Sequence, residues 1–255
     1  MQPSRRDVVA TTLALAVSST GLAAKARAAT SPIRAVAFDG FPVFDPRGIF
    51  AMSEETYPGK GDALNALWRS RQFEYTWLRS LGGMPYRDFP AVIEDALVFA
   101  TSSLGLPLSG ETRDRMVGGF FAMPVWPDVK PALRAMRGAG LRLAFLNNFS
   151  RKMLAENVRY NGLEEDFEFQ LSVDAVGRYK PAPEAYQMGP DAFGLPKEQI
   201  AFAAFAGWDA AGAKAFGFPT FWVNRMKQKP EELGFAADAT GSTLGDLADH
   251  LSARG

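Results

Sequence analysis

The chain contains no cysteine and one histidine, His250, which lies close to the C-terminus. The absence of cysteine excludes disulfides, thiolate nucleophiles and zinc–thiolate sites. A serine–histidine–aspartate mechanism needs an imidazole held beside its nucleophile, and a histidine in the C-terminal tail is a poor candidate for that role. Any chemistry must therefore rest on carboxylates, amines, hydroxyls and amides.

An excess of charge is also missing, because 28 Lys and Arg residues balance 28 Asp and Glu residues. A balanced chain is not expected to bind nucleic acid or an anionic membrane surface. Hydrophobic residues make up 47% of the 255 residues, so a large core can be buried. The length fits one α/β domain with a sizeable insert, or two small domains.

The first 28 residues have the pattern of a targeting segment. Arg5 and Arg6 precede a mildly apolar run at residues 8–24, and an Ala-Arg-Ala cleavage signal follows at residues 26–28. A paired arginine before such a run is similar to a twin-arginine export signal, which is read by a receptor and removed. The run is too short and too rich in Ala, Thr and Ser for a transmembrane anchor. We predict a periplasmic mature protein; the alternative is a frayed amphipathic N-terminus.

After residue 32, strand patterns alternate with helical patterns. Short apolar runs predict buried strands at residues 33–38, 141–146, 200–205 and 219–223. A helix is predicted to open at residues 126–129 and to continue to Arg137. This alternation predicts an α/β fold, a Rossmann-like parallel sheet with helices on both faces and active groups at the carboxyl ends of its strands.

A long helical stretch separates the first two predicted strands. From about residue 51 to residue 121, apolar side chains such as Leu64, Trp68 and Trp77 recur at mostly three- and four-residue spacing. Because this stretch is too long for a simple crossover, we predict a helical cap domain at residues 46–125. The core domain would then comprise residues 32–45 and 126–255.

Polar residues stand where the predicted strands end. Asp39 follows the first strand, Asn147 and Asn148 end the second, and Asp209 follows the third. Taken singly these signals are weak, because a loop aspartate or a strand-end amide usually caps a neighbouring helix. Their order along the chain, with Arg69 in the cap and Lys180 in a turn, makes them a strong combined signal. The further candidates for the same site are Tyr186 and Trp208.

With these motifs, the chain resembles the L-2-haloacid dehalogenases of the haloacid dehalogenase superfamily over about residues 32–244. The most specific matches are LWRSRQFEYTWLRSL at residues 67–81 and WDAAGAKAFGFPT at residues 208–220. The resemblance implies a Rossmann-like core with a helical cap closing over the site. It also implies hydrolytic dehalogenation of a small 2-haloalkanoic acid through an aspartyl ester, with a halide released.

The resemblance also implies a role for each candidate residue. Asp39 corresponds to the nucleophile, Lys180 to the lysine beside it, and Asp209 to the residue that orients Lys180 and the hydrolytic water. The residues that match the halide cradle are Arg69, Asn148 and Trp208. Asn147 and Tyr186 fall on positions that bind the substrate.

Several positions depart from the family pattern. The loop DGFPVFD at residues 39–45 is one residue shorter than usual, with Val43 in place of a threonine. Asn147 replaces a serine of the substrate-carboxylate site. Ala204 and Ala206 replace a serine and an asparagine that position Asp209 and water. The residues for halide release are therefore nearly all present, whereas several of those for ester hydrolysis are replaced. We predict that hydrolysis of the ester is slow.

Two other functions are compatible with the same fold. A phosphatase of the superfamily needs a second aspartate two residues after the nucleophile, and Phe41 occupies that position. A non-catalytic exported binding protein is the stronger alternative, because Ala204 and Ala206 disrupt the water site. With no carboxylate cluster and no dinucleotide glycine fingerprint, we predict neither a metal nor an organic cofactor.

The cap is rich in aromatic residues. Trp68, Phe73, Tyr75 and Trp77 lie within ten residues of one another. Together with the tendency of the resembled family to form dimers, they suggest a homodimer. The same residues are equally well explained as the core of the cap.

Overall fold

The computed structural model describes residues 32–253, so the predicted export segment at residues 1–28 lies outside the described residues. Within this range a parallel six-stranded sheet has the strand order β3-β2-β1-β4-β5-β6. The strands are β1 (Ala35–Phe38), β2 (Arg142–Asn147), β3 (Phe169–Ser172), β4 (Ile200–Ala204), β5 (Thr220–Val223) and β6 (Ala239–Gly241). The predicted α/β class and parallel sheet are confirmed.

Helices fill the connections between these strands. Four of them lie between β1 and β2 and precede the crossover helix: α1 (Arg47–Thr56), α2 (Gly61–Leu81), α3 (Phe89–Ser103) and α4 (Gly110–Gly118). The others are α5 (Val129–Gly138), α6 (Arg151–Asn161), α7 (Pro183–Phe193), α8 (Gly207–Phe216) and α9 (Leu244–Ser252). None of the helices between residues 32 and 253 combines the length and the apolar character that a membrane span requires.

Local sequence explains where several helices begin and end. The Ser150 hydroxyl accepts the Met153 N–H at 3.2 Å and caps α6, which ends where Gly162 adopts a φ of 62°. Asp88 caps α3 in the same way by accepting the Ala91 N–H, and a proline stands in the first turn. These helix boundaries are set by short-range chemistry that the sequence contains.

The central strands are buried, as their apolar sequences predict. Every residue of β1 and of β4 is buried, because helices cover both faces of a parallel sheet. The predicted bounds shift by one or two residues; in particular, Phe205 lies beyond β4, where the backbone turns into α8. The sequence analysis missed β3 and β6. Their segments FQLS and ATG are short and only partly buried, so they carry little hydrophobic signal.

The longest helix of the predicted cap is α2, with 21 residues. Its buried side chains recur at every fourth position, so they form one face of the helix. That face comprises Leu64, Trp68, Gln72, Thr76 and Ser80. The Trp68 indole donates a hydrogen bond to the Ile93 carbonyl at 2.8 Å and joins α2 to α3. The division at residues 46–125 into a separate cap domain stays a prediction.

The strand order determines where polar groups meet. From β1 the sheet extends through β2 and β3 in one direction and through β4, β5 and β6 in the other. The carboxyl ends of β1 and β4 therefore flank the switch point at which α/β folds hold their ligands. Asp39 is the first residue after β1, and its N–H donates to the Ala203 carbonyl of β4 at 3.0 Å.

Candidate active site

Three charged side chains from distant parts of the chain meet beside the end of β1. Asp39 follows β1, Lys180 lies in the turn before α7, and Asp209 is in the first turn of α8. The Lys180 ammonium donates to Asp39 Oδ1 at 2.8 Å and to Asp209 Oδ2 at 2.7 Å. The Lys180 side chain is 1% exposed and the Asp39 side chain 12%. The lysine is thus buried between two carboxylates, of which Asp39 is the more exposed.

Tyr186 completes this arrangement from α7. Its hydroxyl donates to Asp209 Oδ1 at 2.7 Å, so both oxygens of that carboxylate already have partners. We call Asp39, Lys180, Asp209 and Tyr186 the polar floor. The structure places all four of these predicted site residues in one hydrogen-bonded chain.

Burial and charge oppose each other in the polar floor. Burial raises the pKa of Asp209 to about 6, with Asp39 adding to the effect and Lys180 opposing it. Burial disfavours the Lys180 ammonium, but Asp209 and Asp39 outweigh it and hold the pKa of Lys180 above its ordinary value. Burial also raises the pKa of Tyr186, and Asp209 adds to it. Lys180 therefore remains an ammonium and Tyr186 a neutral donor at neutral pH.

The two oxygens of Asp39 differ in what they contact. Oδ1 accepts the strong bond from Lys180, whereas Oδ2 has a long contact of 3.4 Å from the Phe41 N–H. A carboxylate oxygen with few competing hydrogen bonds is an available nucleophile. Oδ2 is therefore the atom placed to attack an electrophilic carbon.

The amides at the end of β2 border the polar floor. Asn148 Oδ1 accepts the Lys180 backbone N–H at 2.9 Å, which fixes the turn that carries the lysine. Asn147 Oδ1 accepts the Phe149 N–H at 2.6 Å, while its buried Nδ2 has no partner among the described residues. Both amides lie where the sequence predicted, and their proposed binding roles stay predictions.

A second region lies between α2 and the loop after β1. It is a narrow cavity of about 20 Å³, which we call the aromatic cavity. Its lining consists of Phe41, Pro46, Phe50, Arg69, Gln72, Phe73, Phe120 and Phe205. The Arg69 guanidinium lies 5.3 Å from the centre of the Phe50 ring and pairs with no carboxylate in residues 32–253. Burial lowers the pKa of Arg69 from its ordinary value.

Trp208, the third predicted cradle residue, packs beside this cavity. Its ring lies 5.2 Å from Phe73 and 5.4 Å from Trp77, measured between ring centres. The indole Nε1 is buried and makes no hydrogen bond within the described part of the chain. Trp208 therefore contacts Phe73, which lines the aromatic cavity. The halide cradle of Arg69, Asn148 and Trp208 stays a prediction.

The alanines that replace the expected polar residues lie next to the polar floor. Ala204 is the buried last residue of β4, and Ala206 precedes α8 without a side-chain cap. Lys180 and Tyr186 already occupy the oxygens of Asp209. The methyl groups of the two alanines supply no further donor or acceptor. That these alanines weaken a water-holding site stays a prediction.

The loop after Asp39 is anchored by residues that the sequence analysis did not identify. Arg225, which follows β5, donates to the Pro42 carbonyl from Nη2 at 2.7 Å and from Nε at 3.0 Å. Its Nη1 and Nη2 also contact the two oxygens of Asp128 at 2.8 and 2.9 Å. The Trp126 indole donates to the Phe41 carbonyl at 3.0 Å. These contacts span up to 183 residues, so no local pattern could have indicated them.

Metal binding finds no support in the described residues. No group of three or more histidine, cysteine, aspartate or glutamate side chains between residues 32 and 253 is arranged to hold a metal ion. The carboxylates of Asp39 and Asp209 are bridged by an ammonium, which occupies the position that a cation would need.

The chain is similar to known hydrolases over most of its length. The family model of haloacid dehalogenase-like hydrolases matches residues 9–217. Haloacetate dehalogenase H-2 of Moraxella sp. (strain B) is 38% identical over 222 residues, which cover 87% of this chain and 98% of the relative. The crystal structure of the L-2-haloacid dehalogenase RSc1362 is 42% identical, with a TM-score of 0.85 over 87% of this chain and all of the other.

A further similar structure contains a covalently bound organic acid. The L-2-haloacid dehalogenase from Xanthobacter autotrophicus with chloropropionic acid covalently bound has a TM-score of 0.79 and 30% identity. The match covers 86% of this chain and 98% of the other. A covalent adduct in a structure of this similarity accords with a nucleophilic side chain at the equivalent site.

Proposed function

We propose that this chain, which belongs to the haloacid dehalogenase-like hydrolases, hydrolyses the carbon–halogen bond of small 2-haloalkanoic acids. The observation that carries this function is the state of Asp39. One oxygen of this buried carboxylate is held by Lys180, and the other is left for attack at the end of β1. The alternative of a non-catalytic binding protein finds no support in these comparisons.

In the first step, Asp39 Oδ2 attacks the carbon that bears the halogen. A carbon–oxygen bond forms, and the carbon–halogen bond breaks with its electron pair leaving on the halide. Lys180 holds Asp39 Oδ1 and leaves Oδ2 for the attack. The Arg69 guanidinium stabilises the departing anion, so its contribution grows as the bond breaks.

In the second step, water attacks the carbonyl carbon of the Asp39 ester. The ester's bond between that carbonyl carbon and its bridging oxygen breaks, which releases a 2-hydroxy acid and restores the Asp39 carboxylate. Lys180 lies where it stabilises the developing oxyanion. As Lys180 turns to the oxyanion it releases Asp209 Oδ2, which accepts the proton of the water and passes it to the departing alkoxide oxygen.

This second step is the slow one in our proposal. Ala204 and Ala206 cannot hold the attacking water, and losing such positioned hydrogen bonds costs roughly 10²-fold in rate. Rapid-quench measurement with 2-chloropropionate should show a burst of about one halide per site, followed by slow turnover. Mass spectrometry of the quenched protein should find the acyl adduct on Asp39.

Restoring the missing polarity provides the matching test. The double variant Ala204→Ser, Ala206→Asn should accelerate the slow phase and leave the burst unchanged. Linear halide release without an adduct would show that displacement limits the rate. No halide release from any 2-haloacid would refute the function itself.

We also propose that residues 1–28 direct export and that the mature protein is periplasmic. The support is the sequence alone, in which Arg5 and Arg6 precede the apolar run. Replacing both arginines by lysine should retain a fused reporter in the cytoplasm. Export of that variant at the original level would contradict the proposal.

We propose a homodimer that forms through α2 and α3. Several large apolar side chains are exposed on these helices and on the loop between them: Leu78, Leu81, Met84 and Val98, with 51%, 86%, 46% and 47% of their surface exposed. Trp68, by contrast, is buried within the cap and belongs to its core. Light scattering at micromolar concentration should give a mass of two chains, and Leu81→Glu should reduce that mass to one chain.

Because the positive and negative charges of the chain balance, we expect neither nucleic acid nor membranes as partners.

A further inference from the structure

One polar side chain in the aromatic cavity has no role in the functions described so far. Gln72 lies on the buried face of α2 and is 3% exposed. It follows Arg69 by three residues, a spacing that places neighbouring side chains on the same side of a helix. Both side chains line the aromatic cavity. Neither the sequence motifs nor the resemblance pointed to Gln72.

The amide of Gln72 has an unsatisfied donor inside the aromatic cavity. Its buried Nε2 makes no hydrogen bond to any described residue. Other polar side chains on the same helix face are satisfied: Thr76 donates to the Phe73 carbonyl at 2.7 Å, and Ser80 donates to the Thr76 carbonyl at 2.9 Å. A buried donor without an acceptor costs about 1–3 kcal/mol, so such a group calls for a ligand.

The surroundings of Gln72 determine what kind of ligand fits. Apart from Arg69 and Gln72, the side chains that line the aromatic cavity are five phenylalanines and one proline. A carboxylate has two oxygens with about four lone-pair sites, and several of them would face aromatic carbons here. A halide is a single atom that a guanidinium, one amide N–H and the positive edges of aromatic rings can surround.

We propose that Gln72 is a halide ligand, whose Nε2–H binds the anion beside Arg69. This assignment rests on the proposed dehalogenation and adds a donor to its leaving-group site. Because the substrate halogen carries little negative charge until its bond breaks, the hydrogen bond strengthens toward the transition state. Gln72 therefore contributes to the rate of halide release more than to substrate binding.

Direct measurement of halide binding tests this assignment without turnover. Sodium bromide is titrated into the full chain by calorimetry at constant ionic strength. A hydrogen bond to a charged group is worth about 1.5–3 kcal/mol, so Gln72→Met, which keeps the length and removes the donor, should weaken bromide binding at least about tenfold. Gln72→Asn, which retracts the amide, should weaken it in the same direction.

Thr76→Val provides a matched control one turn further along the same buried face. Thr76 does not line the aromatic cavity, so this variant should bind bromide within about twofold of the original chain. Melting temperatures check folding: Gln72→Met should melt no lower than the original chain, because it removes an unsatisfied donor. With 2-chloropropionate, Gln72→Met should lower the burst rate at saturating substrate at least about tenfold and leave KM nearly unchanged.

The outcomes separate this inference from the proposed function. Suppose that the original chain binds bromide but releases no halide from 2-haloacids, and that Gln72→Met loses bromide binding. This result would uphold Gln72 as a halide ligand and refute the dehalogenase function. Halide release combined with unchanged bromide affinity in Gln72→Met and Gln72→Asn would refute the ligand and uphold the dehalogenase. Equal weakening in Thr76→Val, or no bromide binding by the original chain, would also overturn the assignment of Gln72.

Discussion

The polar floor and the aromatic cavity are adjacent, yet their polar groups are arranged in opposite ways. In the polar floor, the Lys180 ammonium and both oxygens of Asp209 have partners within 2.8 Å. In the aromatic cavity, Arg69 has a ring contact and no ion pair in the described residues, and Gln72 Nε2 has no acceptor there. A group that already has a partner is positioned before the substrate arrives. An unpaired donor gains its partner only when a ligand binds.

This difference has an energetic consequence. Removing one partner of a buried ion pair leaves an uncompensated charge and is strongly destabilising. Removing a buried donor that lacks a partner relieves a desolvation cost. Loss of a charged side chain should therefore destabilise the fold in the polar floor but not in the aromatic cavity. Activity should fall in both cases.

The largest loss of activity is expected for Asp39→Asn. An amide is a far poorer nucleophile than a carboxylate, so halide release should fall by about 10⁴-fold or more. The measurement is halide release from 2-chloropropionate in single-turnover conditions. Retained release would place the nucleophile outside the polar floor and remove the basis of the comparison.

Lys180→Met should have the next largest effect, about 10³-fold on halide release, because Asp39 and Asp209 then face each other without a cation. Unlike a cavity variant, it should also destabilise the fold by about 3–5 kcal/mol in chemical denaturation. Lys214→Met is the matched control, since Lys214 pairs with Asp238 at the surface and such a pair is worth at most about 1 kcal/mol. Equal stability of the two variants would contradict the paired character of the polar floor.

The polar floor is also the part of the site that the sequence predicts best. Asp39 directly follows a predicted strand and Asp209 comes shortly after another, so a parallel sheet brings them to one edge. The placement of Lys180 needed the resemblance, because a lysine in a turn is ordinarily solvated.

The aromatic cavity was less accessible to sequence reasoning. Gln72 falls on the buried face of α2. In the sequence it is only a polar residue that interrupts a row of apolar positions, so its spacing indicates no function. Whether its amide finds an acceptor depends on side chains from α1 and the β1 loop, which only the folded chain brings near. The clamp of Arg225 on the Pro42 carbonyl is equally non-local. The edge strand β6 was missed because three residues carry no periodicity.

Arg69→Met tests the contribution of the cation in the aromatic cavity. Losing the cation that faces the departing halide should lower the burst rate by about 10²-fold. Stability should stay unchanged or rise, because a partly buried guanidinium without a carboxylate partner carries a desolvation cost.

Arg71→Met, two residues further along α2, is the control for Arg69→Met. Arg71 forms an ion pair with Glu74 and lies over the Phe99 ring on the outer side of the helix. We expect its burst rate to remain within about twofold of the original chain. Destabilisation of Arg69→Met comparable to that of Lys180→Met would show that the cavity cation has a partner after all.

The smallest effect is the dependence of turnover on pH, and it tests whether the polar floor works as a unit. Burial raises the pKa of Asp209 from its ordinary value of 3.8 to about 6, so the carboxylate gains a proton as the pH falls through 6. A protonated Asp209 can neither accept a proton from water nor attract Lys180, and kcat should fall about tenfold for each pH unit below 6. The slow phase should carry this dependence, because ester hydrolysis requires the base.

Since the folded pKa of Asp209 lies above the unfolded one, the contribution of Asp209 to stability is present at low pH and is lost as the pH rises through 6. The decline in turnover below pH 6 therefore cannot arise from unfolding driven by Asp209, and melting temperatures across the same range provide that check. Tyr186→Phe removes a hydrogen bond that favours the ionised carboxylate, so the acidic limb should move to higher pH. A limb that stays in place in Tyr186→Phe would mean that the group titrating near pH 6 lies outside the polar floor.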